Sequence, residues 1–239
     1  MEGDIVNFIK EKVLKVKYII PVIGIVLIVF AFSYMFTVPV TNSVVEKIIV
    51  LDAGHGGIDG GAEAKNGLLE KDLNLKITLK VKEILEKEGI KVILTRKDDN
   101  DLCDNEEEKI KSRKNQDLNK RVEIVNNSNA NLLVSIHMNS FPQEKYSGWQ
   151  TFYKKNCVYS SEVAKLIQEN IKTTTQIENN RVAMEINGVK IIEKSTIPAI
   201  LIECGFLSNK DEAQRLNTEE YQNQIAQGIA NGIISWYNN

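Results

Sequence analysis

Four stretches of the 239-residue chain read as almost unbroken apolar runs of strand length: KIIVL at 47–51, IKVILTR at 90–96, NLLVSI at 131–136 and IPAILI at 197–202. A strand with one wet face alternates apolar and polar residues, so continuous runs mark strands covered on both faces. Between them lie stretches with helical spacing. Over 70–88, Leu73, Ile77, Val81, Ile84 and Leu85 form one stripe, and Gly89 stands where a helix would stop. Further helices are expected over 116–128, over Ser161–Lys172 and at the C-terminus, where Tyr221, Ile225, Ile229, Ile233 and Trp236 recur at helical intervals. GWQTFY at 148–153 reads as another short strand. This alternation predicts an α/β fold: a three-layer sandwich with a central, mostly parallel twisted sheet and helices on both faces.

Ahead of that domain, Tyr18–Phe36 is a run of nineteen residues without a charge, close to the ~20 that a helix needs to cross a bilayer. Lys10, Lys12, Lys15 and Lys17 precede it, which places residues 1–17 in the cytoplasm and everything after Phe36 outside. Pro21 is expected in the first turn of this helix, where a missing N–H costs little. A cleaved signal peptide is the competing reading. Against it, the run exceeds the usual ~7–15 residues of a signal core and ends in bulky Tyr34, Met35 and Phe36. The expected organisation is a cytoplasmic N-terminus (1–17), a transmembrane anchor or signal segment (18–36), a linker (37–46) and an extracytoplasmic domain (47–239).

A net charge of -2 does not suggest a nucleic-acid binder. The three cysteines, Cys103, Cys157 and Cys204, are odd in number and lack CxxC spacing, so neither a disulfide framework nor a Cys-rich zinc site is expected, although one pair could form. KDDNDLCDNEEE at 97–108 carries seven acids against one lysine. It reads as a solvated loop; counted from Asp98 as a calcium loop, its sixth position is Cys103, where glycine is required.

An open α/β sheet binds its ligand beyond the C-terminal ends of its strands. The ionisable residues that end the apolar runs are Asp52 and His55 after the first, His137 after the third and Glu203 after the fourth. Glu70, at the head of the helix after the glycine-rich loop, can reach the same rim. The chain has only two histidines, and both fall there. Two imidazoles and two carboxylates suit a catalytic zinc site with an open position and a nearby base. Plainer readings exist. A histidine after a strand is commonly just hydrogen-bonded, and Glu70 alone is an acid favoured by a helix N-terminus. Glu203 is harder to dismiss, because a carboxylate at the end of a buried strand is costly unless paired or metal-bound. A phosphate cradle fails on spacing: the third glycine of GxGxxG falls on Asp59, and no GxxxxGK[ST] occurs. A thiol hydrolase with Cys204 as nucleophile and His137 or His55 as base stays open, though it leaves one histidine idle.

Four blocks in order, LDAGHGGIDGGA with NGLLEKDLNL, VILTRKDD, LNKRVEIVNNSNANLLVSIHMNS and PAILIECGFLSN, resemble the zinc-dependent N-acetylmuramoyl-L-alanine amidases of the Amidase_3 family, which hydrolyse the cell wall. The resemblance spans about residues 47–237. It implies that His55, Glu70 and His137 are the ligands of a Zn2+ ion and that Glu203 is the catalytic glutamate. Ala53 departs from the proline common before Gly-His, and Cys204 from the threonine common after the glutamate; neither position is a ligand. The implied substrate is the amide between N-acetylmuramic acid and the L-alanine of the peptidoglycan stem peptide. Neutral imidazoles are needed to hold metal, so activity is expected to fall below about pH 6. An N-terminal membrane segment followed by one catalytic domain resembles the germination-specific branch that strips stem peptides for muramic-δ-lactam in the spore cortex. That implies a location in the cell envelope or the forespore intermembrane space, and leaves room for a protein activator. A housekeeping wall-turnover amidase and a non-catalytic peptidoglycan-binding scaffold are the alternatives.

Overall fold

The computed structural model describes residues 2–36, 46–104 and 109–238. They fall into two compact units, one bearing the N-terminal helix and the other spanning Glu46–Asn239. The expected linker, apart from its last residue, and residues 105–108 of the acidic tract lie outside the described residues. In the first unit a single helix, α1 (Glu2–Phe36), includes the lysine-bearing segment as well as the uncharged run. Pro21 therefore lies inside the helix, not in its first turn. The residues before it are good helix formers, and the helix keeps going at the cost of one backbone hydrogen bond.

In the second unit the order is β1 (Ile48–Ala53), α2 (Glu70–Lys87), β2 (Lys91–Leu94), α3 (Ile110–Asn126), β3 (Leu132–Asn139), β4 (Gln150–Lys154), α4 (Val158–Thr175), β5 (Met184–Ile186), α5 (Lys190–Lys194), β6 (Ala199–Phe206), α6 (Lys210–Leu216) and α7 (Glu219–Asn238). The sheet runs β2-β1-β3-β6-β4-β5. β2, β1, β3 and β6 are parallel, whereas β4 runs antiparallel to β6 and β5 pairs parallel with β4. The expected mostly parallel sandwich is what forms. α3 begins six residues earlier than its periodicity indicates, and β5, α5 and α6 are too short to leave a periodic signal.

Alternate strand residues enter two separate cores. Ile49, Leu51, Val134, Ile136, Ile202 and Cys204 face the layer of α2, α4 and α7. Ile48, Val50, Leu133, Ala199 and Leu201 face the other layer, where α3 and α5 contribute Val125, Ile191 and Ile192. By the same period of two, Asp52, Ser135, His137 and Glu203 continue the second set towards the C-terminal ends of their strands. In the parallel register, Asp52 lies beside Ser135 and His137 beside Glu203.

Candidate active site

His55 stands just past the end of β1 in a left-handed backbone conformation, with φ 62°. A non-glycine residue held so costs about 1–3 kcal/mol, and two buried guanidinium groups hold the loop in place. Arg121 of α3 donates from Nη1 to the Ala53 carbonyl at 2.7 Å and from Nη2 to the His55 carbonyl. Arg96 donates from Nε to the Ala53 carbonyl at 2.8 Å and from Nη2 to that of Gly54 at 3.1 Å. Hydrogen bonds from charged donors contribute about 1.5–3 kcal/mol each, enough to outweigh the strain. Arg121 is itself held by Asp52 at 2.8 Å and Asp117 at 2.7 Å. Burial alone would raise the Asp52 carboxyl; Arg121 and the hydroxyls of Ser135 and Thr95 more than reverse that and hold it at about 2.

The loop returns to Glu70, the first residue of α2. The amides of Glu70 and Lys71 donate to the carbonyls of Ala62 and Gly60, so the loop supplies acceptors for helix N–H groups that would otherwise have none. The Glu70 side chain is pulled inward instead of facing solvent: Oε2 accepts from the Ala62 amide at 2.8 Å and Oε1 from the Met138 amide at 3.0 Å. The same Oε1 lies 3.2 Å from His55 Nε2 and 3.0 Å from His137 Nδ1. One donor atom from each of His55, Glu70 and His137 falls within a 4.8 Å cluster. The two imidazoles meet edge to face, with centroids 5.0 Å apart.

Two glycines make that approach possible. A Cβ on Gly54 would sit 2.2 Å from the His137 ring. Gly61, at φ +68°, leaves no room for a Cβ against Glu70 Oε2 and the His55 ring, 2.5 and 2.8 Å away. Asp59 completes the arrangement, its carboxylate 2.9 Å from His55 Nδ1 and 2.7 Å from Lys114 Nζ. A proton held on Nδ1 leaves Nε2 free to face Glu70. Burial opposes charge on His55, but the hydrogen bonds to Asp59 and Glu70 prevail and raise it to about 9. The Glu70 carboxyl is lowered despite its burial, by both histidines.

Glu203 lies across the strand pair from His137. Among the described residues its Oε2 is enclosed and has no hydrogen-bond partner. Burial, with the nearby Glu70 charge, pushes its carboxyl up to about 7. Glu203, His55, His137 and Asp59 all line one cleft of 440 Å3, walled by α3 and the start of α5. The structure thus brings His55, Glu70, His137 and Glu203 to one rim. Cys204 is not there: it is fully buried in the opposite core and its thiol is pushed well up by burial, which removes it as a nucleophile. Among the described residues Cys157 and Cys204 form no disulfide. Asp59 and Arg121 escaped the sequence reading. Asp59 had a local signal, an acid four residues after a loop histidine, whereas Arg121 looks like any helical arginine.

The Amidase_3 family, N-acetylmuramoyl-L-alanine amidase, matches over residues 49–235. The chain belongs to this family. The amidase is 38% identical over 228 residues to the germination-specific N-acetylmuramoyl-L-alanine amidase of Bacillus subtilis (strain 168), covering 93% of this chain and 95% of that one. The CwlD amidase from Clostridioides difficile, solved in complex with the GerS lipoprotein, superposes with a TM-score of 0.78 at 47% identity, over 80% of the amidase and 98% of that chain. The catalytic domain of CwlV from Bacillus (Paenibacillus) polymyxa var. colistinus matches at 34% identity with a TM-score of 0.69, over 80% and 98%.

Proposed function

We propose that the chain is a zinc-dependent N-acetylmuramoyl-L-alanine amidase in which His55, Glu70 and His137 hold the metal and Glu203 moves the proton. The observation that carries this reading is the convergence of two imidazoles and a carboxylate within 4.8 Å beside a carboxylate whose enclosed oxygen has no partner. Two nitrogens and one oxygen are a donor set that catalytic zinc sites use, and Gly54 and Gly61, where a Cβ would clash with His137, Glu70 and His55, let these side chains approach one another. Bound there, zinc supplies Lewis acidity, polarising the scissile carbonyl and making water easier to deprotonate. Glu203, with its carboxyl near 7, takes a proton from the attacking water. It returns that proton to the L-alanine nitrogen as the C–N bond breaks, leaving a carboxylate on the lactyl group and a free amine on the peptide. Asp59 orients His55 through Nδ1, and Arg121 fixes the backbone that carries it.

The spore cortex is the inferred setting, supported by near full-length likeness to an amidase named germination-specific. Residues 18–36 are inferred to anchor residues 47–239 outside the cytoplasm, after a cytoplasmic 1–17 and a linker at 37–46. The support is one helix whose Ile5–Tyr34 stretch is, by length and composition, long and apolar enough to cross a membrane. A lipoprotein partner is proposed on the likeness to the C. difficile complex alone. The deciding experiment incubates the protein with purified peptidoglycan and scores new L-alanine N-termini with and without a zinc chelator. Amine release that the chelator stops is expected. No release, or release indifferent to chelation, contradicts the reading.

A further inference from the structure

The charges of the catalytic cleft are paired almost completely from within. Arg121 is held by Asp52 and Asp117, and Lys114 by Asp59 at 2.7 Å. Among its lysines and arginines, Lys190 is the exception. It is half-buried in the cleft wall, and among the described residues it has no ion pair or hydrogen bond, with Glu203 or with any other group. Its place is fixed: Ile191 and Ile192 beside it are buried, and the turn before it is tied by the Gly188 amide donating to Glu193 Oε1 at 2.6 Å. A half-buried ammonium with no internal anion, in a cleft whose other cations are neutralised, is open to an anion brought by the ligand.

We propose that Lys190 forms a subsite for the free α-carboxylate of the second stem-peptide residue, a glutamyl unit joined to its successor through its side chain. The proposal rests on the amidase reading. With the scissile amide at Glu203, a chain rising about 3.3–3.6 Å per residue brings that carboxylate roughly 7 Å from the breaking bond. The 440 Å3 cleft that Lys190 and Glu203 share is of the size that holds a ligand fragment of this length. Lys190 thereby selects stem peptides with a free carboxylate over those amidated at that position.

The test uses two synthetic muramyl tripeptides with amidated C-termini and alanine third, differing only in a free carboxylate or a carboxamide on the second residue. The wild-type protein should favour the carboxylate form in kcat/KM by about tenfold or more, chiefly through KM, the scale of one charge-assisted hydrogen bond. Lys190→Met should erase the preference by slowing the carboxylate substrate alone, with zinc content and Tm unchanged, and Lys190→Arg should restore it. Absence of a wild-type preference, its persistence in Lys190→Met, or equal slowing of both substrates overturns the subsite. Cleavage of neither tripeptide by the wild type overturns the amidase reading, and the subsite with it.

Discussion

On β6, Glu203 and Cys204 are neighbours in the chain and end in opposite surroundings. Cys204 joins an apolar core sealed by α2, α4 and α7, and Glu203 opens onto a cleft whose wall is α3 and α5. The same division runs through β1 and β3, where Leu51 and Ile136 face one way and Asp52 and His137 the other. The sealed face holds by area and tolerates change that keeps volume. The open face holds by specific charges, so single substitutions there are costly. Two sides of one sheet thus separate folding from chemistry with a period of two residues.

That contrast can be broken most severely at Arg121. Arg121→Met leaves Asp52 buried without its cation, and stability measured by urea unfolding should fall by about 3–5 kcal/mol. Because Asp52 is held at about 2 against an ordinary 3.8, its pair contributes stability above the ordinary value that is lost as pH falls through about 2. Arg121→Met should therefore flatten the acid limb of the stability curve. Gly54→Ala comes next: its Cβ, 2.2 Å from the His137 ring, must displace that ring, and a ~1 Å misplacement costs on the order of 100-fold in turnover. Bound zinc should fall with it.

A smaller effect concerns protons. Asp59 and Glu70 raise His55 to about 9, so below that pH the imidazole carries a proton that the proposed zinc ion would have to displace. Apparent zinc affinity by competition titration should rise by up to about tenfold per pH unit from ~6 to ~9 and then level off. The window lies higher than an ordinary histidine gives, because Asp59 and Glu70 both favour the charged ring. A flat profile between pH 6 and 8 would count against it. Smallest of all, Cys204→Ala should cost about 1 kcal/mol of stability and leave turnover unchanged. A large loss of turnover there would mean that the sealed face takes part in the chemistry.

Much of this organisation was legible in the sequence, for physical reasons. β1, β3 and β6 are covered on both sides and so had to be continuous apolar runs, and a histidine or carboxylate ending such a run had to lie on the ligand rim. Glu70 could be placed near the rim from its position at the head of a helix, but only the family resemblance implied a ligand, since an acid in the first turn of a helix is ordinary and nothing local shows that its oxygens turn inward to Ala62 and Met138. The antiparallel turn of the sheet at β4 and the brief α5 left no periodic trace. The partners of Arg121 are 69 residues away at Asp52 and 66 at the His55 carbonyl, and only the folded register brings them together.

Central to the proposed chemistry is a division of labour between two carboxylates, Glu70 holding metal and Glu203 moving protons. Zinc content and stem-peptide release should be measured together on Glu70→Ala and Glu203→Ala. Glu70→Ala should lose its zinc, whereas Glu203→Ala should keep it while turnover drops by about 10²–10⁴-fold. Release by Glu203→Ala at the wild-type rate, or loss of its zinc while Glu70→Ala retains metal, would contradict the assignment.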